Sequence, residues 1–146
     1  MNPHYNQNYS REEIDRILSK IKMCIRNGRC TISLNENRRE NQDFINEYNI
    51  RDAKQKEILL QITADDFCHS LRNKKPGFEH EILYVFAPDA ELTDAEDHPT
   101  VVRIYIKFNI IKTRSGDLTI VISFHPLNKP IDHAFRKPDQ EQEELS

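Results

Sequence analysis

Between residues 101 and 125 the chain alternates apolar and polar side chains in two runs. They read Val-Val-Arg-Ile-Tyr-Ile-Lys-Phe-Asn-Ile-Ile and Leu-Thr-Ile-Val-Ile-Ser-Phe-His, separated by a polar segment holding Ser115-Gly116-Asp117. Period-two alternation interrupted by a glycine that accepts positive φ predicts a β-hairpin. Val102, Ile104, Ile106, Phe108 and Ile110 fall on one face of the first strand, and Arg103, Tyr105, Lys107 and Asn109 on the other. On the second strand, Leu118, Ile120, Ile122 and Phe124 oppose Thr119, Val121, Ser123 and His125. Pairing about Ser115 sets Tyr105 across from His125 and Lys107 across from Ser123.

The earlier chain is patterned differently. Ile14, Ile17, Leu18, Ile21 and Ile25 recur at helical spacing behind a Ser10–Glu13 capping box, and Asn27-Gly28 ends that helix. Residues 31–34 are short enough to be strand or connector. A polar helix is expected over 36–48, capped by Asn35 and anchored by Phe44, Ile45 and Tyr48. Asp52 opens another helix, with Ile58, Leu59 and Ile62 inward. Residues 63–72 read as a turn or short helix, 81–87 as a strand ended by Pro88, 90–100 as an acidic loop and 126–138 as irregular. Helices first and strands last predict an α+β fold, an antiparallel β-sheet packed on one face by N-terminal helices. One domain over residues 10–136 is expected, between a disordered segment 1–9 and an acidic disordered tail 137–146.

Composition narrows the function classes. The net charge is −3, from 21 basic and 24 acidic side chains, which argues against an indiscriminate nucleic-acid binder. Four of the acids, Asp139, Glu141, Glu143 and Glu144, lie in the tail. Setting aside residues 139–146, which hold these four, leaves 21 basic and 20 acidic side chains, room for a local basic patch. No apolar run approaches the roughly 20 residues that span a bilayer, and the first residues lack a signal-peptide core. Cys24, Cys30 and Cys68 show no paired spacing, so a reducing cytoplasm with the thiols as core filler is expected. Nor do the six histidines have metal-ligand spacing, so no metal and no other cofactor is expected.

Four groups can converge on the polar face of the hairpin: His69, the His80–Glu81 pair, Tyr105 with Lys107, and Ser123 with His125. This mixture suits RNA cleavage without a metal. The ribose 2′-hydroxyl must lose a proton, the leaving 5′-oxygen must gain one, and the phosphorane between them needs cations or donors. Histidine titrates near neutrality and serves as base or acid. Lys107 and Arg103 can stabilise the phosphorane, and unpaired bases can stack on Tyr105 or Tyr84.

Several segments together resemble the MqsR-type toxins of bacterial toxin–antitoxin systems. They are Asp66-Phe67-Cys68-His69-Ser70-Leu71, Glu81-Ile-Leu-Tyr-Val-Phe, Ile104-Tyr105-Ile106-Lys107 and Val121-Ile122-Ser123-Phe124-His125-Pro126, along with the opening helix that ends in Asn27-Gly28-Arg29. The resemblance implies a RelE/barnase-like fold and an endoribonuclease that cuts mRNA and is held inactive by a cognate antitoxin protein. Its implied active positions are His69, Tyr105, Lys107 and His125; His69 and His125 stand where some members carry lysine. His80 and Glu81 compete for the family's polar position before the middle strand.

A second function class is a non-catalytic binding module whose sheet edge recruits a partner by strand addition; the acidic loop and tail favour it. A nucleic-acid-binding repressor is only weakly supported, because no helix-turn-helix with a basic recognition helix is visible.

Overall fold

The computed structural model describes residues 4–34 and 38–136. Helix α1 (Arg11–Arg26) begins at the Ser10–Glu13 capping box and ends at Asn27, with Gly28 at φ +69°. It buries Ile14, Leu18, Ile21, Cys24 and Ile25. Strand β1 (Cys30–Ile32), helix α2 (Arg39–Glu47) and helix α3 (Asp52–Leu60) follow. The expected Asn35 cap and the tail 137–146 lie outside the described residues.

A single 3-10 turn over Ala64–Asp66 leads into strand β2 (Phe67–Arg72). Here the expectation of a short helix through Arg72 is corrected. A Thr63–Asp66 capping box opens the segment but holds only one turn, because Phe67–Arg72 pairs antiparallel with β3 (Ile82–Phe86). Tertiary pairing overrides the local start signal. The acidic stretch is likewise not all loop. Strand β4 (Asp89–Thr93) pairs with the first part of β5 (Pro99–Thr113), burying Leu92, and only the acidic tip turns back.

The fold is α+β with an open six-stranded sheet. Its order is β1-β6-β5-β3-β2, with β4 beside β5 and β6 spanning Gly116–Pro126. The sheet is mixed rather than purely antiparallel, since β1 runs parallel to β6. The helices pack over one face, where Phe44, Phe67, Phe86, Ile104, Ile106, Phe108, Val121 and Phe124 are fully or almost fully buried among the helical apolar residues. The thiols of Cys24 and Cys68 are buried and that of Cys30 is partly so.

A bulge divides the hairpin. Tyr105 faces His125 and Lys107 faces Ser123, as the alternation predicts, but the next pair is Phe108 with Val121, so Ile122 is an extra residue. The shift reverses the faces of the far half of β6. Thr119 and Val121 are buried on the helix side, correcting their expected place on the polar face. Asn41 of α2 occupies the bulge. Its side-chain amide donates to the carbonyls of Ile122 and Ser33, each at 2.9 Å, and its oxygen accepts from the Phe124 N–H at 2.8 Å. Backbone groups that the bulge removes from the ladder are thereby satisfied.

Residues 4–9, expected to be disordered, lie along the outer edge of β2. Asn6 exchanges backbone hydrogen bonds with Ser70 at 2.9 and 2.8 Å. After β6 the chain crosses the end of the sheet, where the Ala134 N–H donates to Phe67 and His133 Nε2 donates to the Ala87 carbonyl at 2.9 Å.

Candidate functional site

Register alone builds one row of side chains. His69 is opposite Val85, Val85 opposite Lys107, and Lys107 opposite Ser123, so these four share the sheet face away from the helices. Tyr105 and His125 form the next pair on that face. The segment 127–132 and the N-terminal arm wall the row, leaving a cleft of about 520 Å³. His69, Tyr105, Lys107, Ser123 and His125 all line it.

The two histidines differ. His69 is only 3 % exposed, and the Tyr5 ring lies flat on it, with centroids 3.8 Å apart and planes 4° apart. Burial pushes its pKa down to about 4; the Lys107 charge adds to this and Asp132 opposes it. The imidazole is therefore neutral at pH 7. Its buried Nε2 has no hydrogen-bond partner among the described residues. His125 lies at the rim. Its Nδ1 is 3.0 Å from the Pro126 carbonyl, which can only accept, so Nδ1 carries the hydrogen and Nε2 keeps its lone pair when the ring is neutral. The Glu40 carboxylate is 3.7 Å from the same Nδ1.

Tyr105 stacks beside His125 at 5.4 Å and 20°. Burial, with smaller contributions from Tyr5 and Cys68, pushes its phenol up to about 12. The Lys107 ammonium is 5.8 Å from the Tyr105 ring centre, and burial first, then Arg38, lower its pKa. Arg38, Lys107 and Lys129 in this cleft outnumber Glu40 and Asp132, so it is locally positive in a chain of net charge −3.

Four sequence candidates are not brought to the cleft. Glu81 accepts from the Asn73 and Asn109 side chains at 3.0 and 3.2 Å, farther along the sheet, and exposed His80 lies in the turn before β3. Arg103 is held by both oxygens of Asp89, at 2.8 and 3.1 Å, because β4 pairs alongside it. Tyr84 is opposite Phe108 and packs towards the helical core, edge-on to Tyr9. Asp66 of the Asp-Phe element is structural: it accepts from the Thr63 N–H and pairs with Arg136 at 3.0 Å. Sequence reading missed Tyr5, Gln7, Glu40 and Asp132. Tyr5, Gln7 and Asp132 come from segments without periodicity or motif, Glu40 sits in the predicted polar helix with nothing to mark it, and only the folded chain brings them together.

Among the described residues no cluster of three or more His, Cys, Asp or Glu side chains could hold a metal ion, and no helix is long and apolar enough to cross a membrane. The chain matches no protein-family model, no curated protein and no solved structure.

Proposed function

We propose that this protein is a metal-independent endoribonuclease of the MqsR toxin type, with a RelE/barnase-like fold, that cuts single-stranded mRNA and is neutralised by a cognate antitoxin protein. One observation carries the reading. The four positions marked by the sequence resemblance, His69, Tyr105, Lys107 and His125, come from three strands and line one locally positive cleft. A likeness of short segments does not by itself require that convergence.

In this reading His125 is the general base. Its fixed tautomer offers Nε2 to the ribose 2′-hydroxyl, and Glu40 stabilises the imidazolium that forms. Lys107 supplies positive charge to the phosphorane from a half-buried position where its field is little screened. Tyr105 stays protonated at neutral pH and donates to the leaving 5′-oxygen. Ser123, opposite Lys107, offers a hydroxyl to the phosphate. His69 is neutral and, beneath the Tyr5 ring, backs the cleft wall rather than acting as a cationic acid.

The test is cleavage of unstructured RNA by purified protein in the presence of a chelator. Fragments ending in 2′,3′-cyclic phosphate are expected. His125→Ala and Lys107→Ala should each slow cleavage by about a hundredfold or more. Parent-like rates in both variants would mean that the assignment is wrong.

A further inference from the structure

We infer that Tyr5 is a nucleobase-stacking platform, so that the N-terminal arm forms one wall of the substrate cleft; the inference rests on the reading of that cleft as an RNA site. One face of the Tyr5 ring is closed off by His69 at 3.8 Å. The residue nevertheless remains 38 % exposed and lines the cleft, so its accessible surface is the opposite face and the ring edge. A flat, backed aromatic ring beside cations is what an unpaired base recognises.

The arm is anchored well enough to hold such a ring. Asn6 makes its two backbone bonds to Ser70, and Gln7 Nε2 donates to the Cys68 carbonyl at 2.8 Å and the Asp132 carbonyl at 3.3 Å. The Tyr9 hydroxyl meets Ser70 Oγ at 2.7 Å. Tyr5 itself is not part of the core. The stack also leaves His69 Nε2 buried without a partner, a cost that core packing does not require.

A second platform lies across the face, where Tyr105 stacks with His125. Only β3 separates β2 from β5, so the platforms stand on strands about 10 Å apart. Lys107 shares the cross-strand row of His69 and the strand of Tyr105, so it neighbours both platforms. Bases flanking one phosphate can each take a platform while that phosphate meets Lys107. A duplex keeps its bases stacked on one another, so this arrangement selects an unpaired strand.

The probe is a fluorescein-labelled 2′-deoxy hexanucleotide, which lacks the attacking hydroxyl and reports binding without turnover. Anisotropy titration compares the parent with Tyr5→Ala, Tyr5→Leu and Tyr5→Phe, each checked by thermal unfolding. Tyr5→Ala and Tyr5→Leu should weaken binding roughly tenfold, while Tyr5→Phe keeps the parent affinity. Leucine binding as well as phenylalanine, or alanine binding as tightly as the parent, would overturn the platform. Tighter binding by alanine would also overturn it, identifying the ring as an obstruction. Suppose the deoxy strand binds in a Tyr5-dependent way but the parent leaves RNA intact. The ribonuclease reading then fails and the platform stands. If the parent cuts RNA and Tyr5→Ala moves neither KM nor the Kd, the platform fails and the ribonuclease reading stands.

Discussion

Asn41 provides the sharpest test of how the cleft is positioned. Its side chain is buried and makes three hydrogen bonds, two at the β6 bulge and one to Ser33. Truncation by Asn41→Ala removes all three and strands buried backbone groups of Ile122 and Phe124. At about 1 kcal/mol per lost bond, plus the penalty for an unsatisfied buried group, the expected loss is about 4 kcal/mol. That is a large share of the roughly 5–15 kcal/mol that holds a domain together. A chain of this size should melt about 10 °C lower. Urea unfolding is the direct assay, with the midpoint falling and the slope unchanged. Asn41→Asp keeps the acceptor for Phe124 but loses both donors and buries a charge, so it should be no better than alanine. A loss below about 1 kcal/mol for Asn41→Ala would refute the reasoning and show that the bulge stands without its peg.

Two further predictions concern charge. The depressed pKa of His69, about 4 against an ordinary 6.5, means that the unfolded chain binds more protons between those values. Stability should therefore rise with pH across that window and fall by about 3 kcal/mol on acidification to pH 4; His69→Gln should flatten this part of the pH–stability curve. Asp66→Ala should cost about 3 kcal/mol or more in urea unfolding, because it leaves Arg136 without its close partner in a largely buried pair and removes the Thr63 cap.

How far the sequence foretold the fold depended on whether a feature was local. The Ser10–Glu13 box and the spacing of Ile14, Leu18, Ile21 and Ile25 are local, and α1 follows them. Tyr105 opposite His125 and Lys107 opposite Ser123 were legible because the alternation near the site is unbroken. The bulge was not, since Ile122 suits either face and the residue that stabilises the shift, Asn41, lies 81 positions from Ile122. Strand β2 was hidden by a genuine helix-start signal that its partner β3 overrules. Arg103 read as a phosphorane-stabilising cation because nothing in the alternation announces that β4 delivers Asp89 beside it. Tyr5 was invisible for a related reason: its arm has no hydrophobic period, and its order comes from the edge of β2.

The arm's contacts also bear on when the cleft can exist during synthesis. Gln7 and Asp132, 125 positions apart, are hydrogen-bonded, and the cleft joins Tyr5 to the comparably distant His125 of β6. Pairings this distant in sequence close late, after the loop entropy between them has been overcome. A growing chain that has left the ribosome only as far as α3 carries Tyr5 but not β2, whose His69 it covers. The complete constellation therefore appears only after β6 has emerged and docked.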